Sequence, residues 1–262
     1  MTKKTKLSFT VLGCGTSTGV PLIGCTCKTC RSKNPKNDRL RAAAWVQTQG
    51  KSILIDTSTD LRQQALRARI TRVDAVLYTH PHADHIHGID ELRSFNFLQK
   101  EQIPLYGNDW TEGDLNERFP YIFNPTPVEG GGIPRLRFHK VDSKDQNLNL
   151  GDVPITPISL QHGAKECLGY RFDSIAYITD CSYIPPASMD RLRGLSVLFL
   201  DCVRLAPHPT HFNLDQALET ISVLKPGKTF LTHLGHEFDF TVWSKKLPKG
   251  VFLSYDGLKV TL

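Results

Sequence analysis

The stretch that most constrains this chain is residues 79–88, Thr-His-Pro-His-Ala-Asp-His-Ile-His-Gly, directly after the apolar run 73–78. Within six positions it offers four side chains of metal-ligand type, His80, His82, Asp84 and His85. A strand that ends in an extended turn, held open by Pro81, points His80 and His82 to one side. Asp84 and His85 then open the following helix and aim at a second point a few ångströms away. Imidazole and carboxylate suit Zn, Mn, Fe or Ni, and a single ion does not need a cluster this dense. The spacing therefore asks for a fold that holds two ions at the end of a buried strand, the plain alternative being a chance His-rich surface turn.

A dinuclear site needs further ligands, and the second half of the chain offers them just past hydrophobic strands. His162 follows the run 155–160, Asp180 follows Tyr177-Ile178-Thr179, and His233 follows Phe230-Leu231-Thr232. Further strand candidates are 7–12, 45–49, 52–55, 169–172, 176–178, 197–200 and 229–231, rich in β-branched or aromatic residues. Helices are expected over 59–69, 84–98 and 214–224. In the last of these Leu214, Ala217, Leu218, Ile221 and Leu224 form one stripe, and Asn213 with Gln216 makes an N-terminal cap. Strands occur both as hairpins and alternating with helices, which predicts an α/β architecture with mixed sheets. Between 110 and 150 the pattern dissolves into Pro, Gly, Asn and charged residues, including 130–132 and 142–149, and reads as an insertion or lid within a single domain. A division into two similar halves near residue 150 stays open.

Cys25, Cys27 and Cys30 supply three thiolates but lack the fourth ligand of a closed tetrahedral zinc, for which His236, three residues after His233, is the candidate. Such a zinc would anchor the loop that presents His233 and do no chemistry. An odd total of seven cysteines with this tight trio favours metal binding in a reducing compartment over disulfides, hence a cytoplasmic location. Buried reduced cysteines without metal are the alternative. Lys3, Lys4 and Lys6 ahead of an apolar run resemble an export signal, but the run is short and broken by Gly13, Gly15 and Ser17.

At 262 residues, 40% hydrophobic and 22% charged, the chain can bury a core without disulfides, and disordered or collagen-like readings are excluded. Charged residues or Gly interrupt every apolar stretch before the roughly 18 residues of a membrane span. A net charge of +6 favours an anionic partner. Six basic residues between 28 and 41 face one acid, Asp38, and form either a phosphate-attracting rim or a solvated loop face.

The His-x-His-x-Asp-His turn, followed by a His, an Asp and a His on later strand ends, resembles the metallo-β-lactamase fold superfamily in its phosphodiesterase branch. The opening Gly-Cys-Gly-Thr-Ser-x-Gly-Val-Pro at 13–21 and the Cys-x-Cys-x-x-Cys trio narrow the likeness. They are similar to the family of phosphoribosyl 1,2-cyclic phosphate phosphodiesterases of the carbon-phosphorus lyase pathway. The resemblance implies a four-layered αββα sandwich of two mixed sheets over 1–262, with a zinc loop at 25–30. It assigns His80, His82 and His162 to one metal, Asp84, His85 and His233 to the other, and Asp180 to both. Two catalytic divalent ions (Zn or Mn, with Ni or Fe also accepted) and one structural zinc follow from it, as does a hydroxide nucleophile held between the catalytic pair. Two ions, two carboxylates and that hydroxide leave about +1, which suits a phosphodiester and its more negative transition state.

His211, two residues before the 214–224 helix cap, matches a family residue that acts as general acid or steadies the transition state, with His208 a less fitting substitute. Asp56, past the strand 52–55, can hydrogen-bond a ligating imidazole or be an ordinary turn residue. His87, His139 and His208 read as surface residues or as residues that support the ligands from behind. The substrate implied is a small cyclic phosphodiester, either phosphoribosyl 1,2-cyclic phosphate or a 2′,3′-cyclic nucleotide, and the relatives imply a homodimer. The alternatives are a tRNA 3′-processing endonuclease, for which no long basic Gly-rich arm is visible, and a non-catalytic zinc-binding scaffold. Thioester or lactam hydrolysis fits less well with the bridging Asp, His211 and a basic surface.

Overall fold

The computed structural model of the protein describes residues 7–124, 132–142, 144 and 147–262. The first half contributes six strands, β1 (Ser8–Gly13), β2 (Ala43–Thr48), β3 (Lys51–Ile55), β4 (Ala75–Leu77), β5 (Ile103–Gly107) and β6 (Leu136–Lys140). The second half contributes β7 (Leu148–Leu150), β8 (Val153–His162), β9 (Lys165–Phe172), β10 (Ile175–Ile178), β11 (Val197–Asp201), β12 (Lys228–Thr232) and β13 (Val251–Leu253). β14 (Lys259–Thr261) returns to the first sheet beside β1. The strand orders are β14-β1-β2-β3-β4-β5-β6 and β13-β12-β11-β10-β9-β8-β7. In each sheet three neighbouring pairs are antiparallel and three are parallel, so the two halves mirror one another.

Helices cover the outer faces: α1 (Leu61–Ala68), α2 (Ala83–Ile86), α3 (Leu92–Gln99), α4 (Asp109–Arg118) and α5 (Pro120–Phe123) in the first half, and α6 (Pro186–Arg191), α7 (Leu214–Leu224) and α8 (Phe240–Lys246) in the second. Three apolar clusters follow the layers. Phe9, Ile53, Ile55, Tyr170, Tyr177 and Phe199 belong to the one between the sheets, where the Phe9 and Phe199 rings stack at 4.4 Å. The others join each sheet to its own helices, giving the expected four-layered αββα sandwich. Burial of these faces is the main stabilisation, because the strands are apolar on the side each presents to a core. α7 has the expected bounds, and Asn213 and Gln216 cap it reciprocally.

Two expectations need correction. The helix expected over 84–98 is α2, a 3-10 turn at Ile89–Glu91 and α3. The break lies at Gly88, whose N–H bonds the Thr57 carbonyl at 2.9 Å, an approach in which a Cβ would lie 2.0 Å from the Ser58 oxygen. The stretch 110–150 does not dissolve: most of α4, all of α5 and β6, and β7 lie within it. β6 is paired in register with β5, so a lid reading leaves aside a strand of the sandwich. Lys3, Lys4 and Lys6, two of the three glycines at 130–132, and residues 143, 145 and 146 lie outside the described residues. No helix among the described residues is long and apolar enough to cross a membrane.

The basic stretch 28–41 is not a solvated loop face throughout, nor are all its cations free to form a phosphate-attracting rim. Arg39 is 1% exposed and donates to the carbonyls of Gly235, at 3.0 Å, and Phe238, while Arg41 pairs with Asp60 at 3.1 Å. Close by, Asp256 accepts the N–H groups of Cys14 and Leu40 and pairs with Arg67 at 3.0 Å. Burial pushes its carboxyl up to about 6. The unfolded value is about 3.9, so between these pH values the folded protein keeps a proton that the unfolded chain has lost. The stability it contributes is full below about pH 4 and is lost as pH rises through about 6, amounting to about 3 kcal/mol. Asp256→Asn is expected to flatten that part of the stability profile, measured by urea melts at successive pH values between 4 and 7.

Candidate metal centre

Strand ends of both sheets converge at one edge of the sandwich. Asp56 follows β3, His80 lies just past β4, His162 ends β8, Asp180 lies just past β10, Asp201 ends β11, and His233 follows β12. Parallel strands bring their C-terminal ends to the same edge, which is why single residues far apart in sequence meet there. Two bonds stitch the sheets at this point: the Tyr170 hydroxyl donates to the Tyr78 carbonyl at 2.7 Å, and the Leu168 N–H to the Thr79 carbonyl at 2.9 Å. Asp56, Asp180 and His233 each adopt left-handed backbone (φ 64, 55 and 57°). That conformation is unfavourable for these residues and is held by the packing around them.

All seven expected catalytic-site ligands come together. Ligand atoms converge in overlapping groups, among them His80, His82 and His162; His80, His85 and Asp180; and Asp84, His85 and His233. His80 Nε2 lies 2.9 Å from His82 Nδ1. His162 Nδ1 bonds the Thr210 carbonyl at 2.9 Å, leaving Nε2 as its ligand atom. Asp180 stands between the groups, Oδ1 lying 3.8 Å from His80 Nε2 and 3.3 Å from His233 Nε2, and Oδ2 lying 3.4 Å from His85 Nε2. Asp84 Oδ2 is 3.3 Å from His85 Nε2 and 3.6 Å from His233 Nε2.

The donor set fits divalent cations. His85 Nε2 and His233 Nε2 are buried without a hydrogen-bond partner among the described residues, although each faces two carboxylates. Such orphaned atoms are costly unless something binds them. Burial lowers the pKa values of His80 and His82, and that of His162 to about 4, so these rings are neutral lone-pair donors. For His85 burial acts in the same direction, but Asp180, Asp84 and Asp56 outweigh it and raise its pKa well above the ordinary value. For Asp180 burial opposes ionisation, yet His233, His85 and His80 hold its pKa well below the usual carboxylate range. The carboxylates Asp84 and Asp180 thus draw positive charge to the side of His85, while His80, His82 and His162 offer neutral nitrogens.

Around the ligands, Asp56 does what a supporting carboxylate should. Its Oδ2 lies 2.7 Å from His85 Nδ1 and accepts the Thr79 hydroxyl at 2.9 Å, while Oδ1 accepts the Thr79 N–H at 2.8 Å. His211 lies beside the ligands, its ring 4.8 Å from those of His162 and His233. The sequence reading missed Asp201, whose Oδ2 lies 3.2 Å from His211 Nδ1 and accepts the N–H of Phe212 at 3.1 Å. Its signal was the one used for Asp180 and His233, an acid or imidazole at the end of an apolar strand. Burial disfavours the His211 cation, but Asp201 dominates and raises its pKa to about 9. Trp110 was also missed; its ring is 5.5 Å from that of His82 and 5.9 Å from that of His80.

The second expected cluster is equally well formed. His236 Nδ1 lies 3.3, 3.7 and 3.6 Å from the sulfurs of Cys25, Cys27 and Cys30. Zinc bonds of roughly 2.3 Å to sulfur and 2.05 Å to nitrogen at the tetrahedral angle put S and N about 3.6 Å apart. The four side chains match that spacing. None of the seven cysteines is in a disulfide.

Residues 51–234 match the family model of the Beta-lactamase superfamily domain. The chain belongs to the beta-lactamase superfamily. Its fold also superposes on the solved structure of a diphosphatase from the PhnP family, with 43% identity and a TM-score of 0.91, covering 98% of this chain and 97% of that one. Over 255 residues it is 34% identical to an octanoyltransferase of Porphyromonas gingivalis, covering 96% of this chain and 51% of the relative. Over 150 residues it is 28% identical to a ribonuclease Z of Bradyrhizobium diazoefficiens, covering 54% and 47%. The chain thus spans about half the length of the curated relatives it matches. As a beta-lactamase superfamily member with these His and Asp clusters, it is a metal-dependent hydrolase that binds divalent metal.

Asp56→Asn is expected to weaken catalytic-metal affinity roughly 10- to 100-fold, read by competition with a chromophoric chelator. Cys27→Ser opens the tetrahedral cluster and should remove one equivalent of zinc and lower the melting temperature, as measured by metal analysis and calorimetry on the same sample.

Proposed function

We propose that this hydrolase is a dinuclear phosphodiesterase acting on small cyclic phosphodiesters, a phosphoribosyl 1,2-cyclic phosphate or a 2′,3′-cyclic nucleotide. The observation that carries the reading is the position of the Asp180 carboxylate between two His-containing groups, with His211 beside them. His80, His82 and His162 would hold one ion, Asp84, His85 and His233 the other, and Asp180 both. Divalent ions supply Lewis acidity for the phosphoryl oxygens and make water acidic enough to act as a nucleophile near neutral pH. Zn or Mn suits these donors, as do Ni and Fe. Cys25, Cys27, Cys30 and His236 would close around a structural zinc with no position left for substrate, and free thiols of this kind suit the cytoplasm.

The chain's own residues do three things in this reading. Asp56 fixes the His85 ring through Nδ1, so that Nε2 faces the centre. Asp201 orients His211 through Nδ1, leaving Nε2–H to protonate the departing sugar oxygen. Asp84 and Asp180 hold the imidazoles of His85 and His233 in one buried network and would hold the cations with them. A second reading, cleavage of a P–O–P linkage, is favoured by the 43% identity to the PhnP-family diphosphatase. It uses the same centre with a phosphate in place of the sugar as leaving group. Likeness to ribonuclease Z over half the chain keeps tRNA trailer cleavage as a control.

Protein reconstituted with Mn or Zn should open cyclic phosphates in a chelator-sensitive reaction and leave a pre-tRNA trailer intact; trailer cleavage with inert cyclic phosphates would refute the small-diester reading. His211→Ala should cost roughly 10²- to 10⁴-fold in kcat for diesters with sugar leaving groups. The loss should be much smaller for bis(p-nitrophenyl) phosphate, whose leaving group needs no proton. Equal losses on both would take the general-acid role from His211.

A further inference from the structure

The outer face of the first sheet is covered unevenly. α1 shares a core cluster with Leu12, Ala43 and Leu54, towards one end of β1–β3, while beside the β2–β3 hairpin tip the same face opens into a cavity of about 630 Å³. The register sets its floor. Phe9, Val46 and Ile53 belong to the core between the sheets, so Ser8, Gln47 and Ser52, paired side by side one residue away, stand on the opposite face. Thr10 and Trp45 form the next pair and lead into a smaller recess of about 190 Å³, which shares Trp45 and Lys259 with the larger one. Ser8 and Ser52 are only 6% and 9% exposed, so the floor is sunk below the surface, and the Ser8 hydroxyl has no hydrogen-bond partner among the described residues.

Charge decides what the cavity can hold. Four cations and no acid line it. Arg72 is spent on Asp74, at 2.8 Å, and Glu101, at 2.9 Å. Lys51, Arg69 and Lys259 come from the hairpin tip, the end of α1 and β14, and none has a side-chain partner among the described residues. Three like charges around a neutral floor repel one another and attract an anion. Trp45 supplies the other half of the recognition. Its indole N–H donates to the Ser52 hydroxyl at 2.8 Å, and that hydroxyl donates in turn to the Arg72 carbonyl at 2.5 Å, so the ring is fixed in the wall common to both recesses. A fixed indole with cations at its sides suits a flat ring that carries a phosphate, and the amides of Gln47 and Gln49 suit polar ring edges. The volume lies within the roughly 300–1,000 Å³ of small-molecule sites.

We propose that this cavity is a second ligand site, separate from the metal centre, for a nucleoside monophosphate whose base lies on Trp45 and whose phosphate lies among Lys51, Arg69 and Lys259. β3 separates the two sites. Lys51 begins the strand and Asp56, which holds His85, follows its end, roughly 17 Å away at about 3.3 Å per residue. A ligand held here does not reach the centre that performs hydrolysis, and the inference stands whichever phosphoester is cleaved there.

The test titrates the full chain, reconstituted with Mn or Zn, with adenosine 5′-monophosphate, which has no diester or P–O–P linkage to cleave, and reads calorimetry and tryptophan fluorescence together. The nucleotide should bind at least about tenfold more tightly than adenosine or inorganic phosphate, because each of these makes only part of the contacts. Binding should quench fluorescence, and Trp45→Phe should remove the quench. Lys51→Gln combined with Lys259→Gln should weaken the nucleotide at least about fivefold while keeping the wild-type metal content. Both lysines lie at the surface, so this pair serves if the Trp45 variant does not fold. Three results would overturn the inference: no binding of the nucleotide, an affinity that the lysine pair leaves unchanged, which would put the phosphate on the metal centre, or inorganic phosphate bound as tightly as the nucleotide.

Discussion

Two buried carboxylates, Asp84 and Asp180, set the terms for the rest of the molecule. Neither can stay ionised inside a protein without positive charge close by, since the desolvation of an unpaired carboxylate far exceeds the free energy of folding. The sandwich answers this by bringing imidazoles from four separate segments to the same edge: the turn after β4, the end of β8, helix α2 and the loop after β12. That convergence needs both sheets, because the ligands divide between them. It also needs the sheets to be locked together at the site, which the Tyr170–Tyr78 and Leu168–Thr79 bonds accomplish. The unfavourable backbone at Asp56, Asp180 and His233 belongs to the same arrangement, each residue turning sharply at a strand end so that its side chain meets the others.

A second layer of residues keeps the ligands from rotating. Asp56 and Asp201 act alike, one past β3 in the first sheet and one at the end of β11 in the second. Each holds an imidazole by Nδ1. By strand order β3 corresponds to β10, so the positional counterpart of Asp56 is Asp180; what Asp56 and Asp201 share is a task, one steadying His85 and the other His211. Arg39 plays a comparable part at a distance, its buried guanidinium holding the Gly235 and Phe238 carbonyls of the loop that carries both His233 and His236.

Much of this was legible in the sequence because the ligands sit where local pattern is strongest. A polar residue that ends a run such as Tyr177-Ile178-Thr179 is conspicuous, and the His-rich turn is dense enough to speak without context. The superfamily resemblance supplied how the ligands divide between ions. What the sequence did not show depends on contacts between distant segments. Gly88 is a local stop signal, since glycine commonly follows a helix end, but that no other residue fits there depends on the Ser58 carbonyl, thirty residues earlier. β6 reads as loop because it is a half-exposed edge strand, Leu-Arg-Phe-His-Lys, and it becomes a strand by pairing with β5. Arg39 looked like one more surface cation because burial of a guanidinium is unreadable without the carbonyls that receive it.

The return of β14 to the first sheet has a mechanical meaning. Leu7 and Leu262 exchange backbone hydrogen bonds, the Leu262 N–H giving 2.9 Å and the Leu7 N–H 3.3 Å. β1 and β14 are antiparallel neighbours, so a force drawing these two residues apart acts across the ladder and loads its bonds one pair at a time, like a zipper, where a parallel arrangement would load them together in shear. The molecule therefore offers little resistance to tension at this corner. The metal centre sits at the opposite end of β1, past Gly13, and so is insulated from the first yielding step.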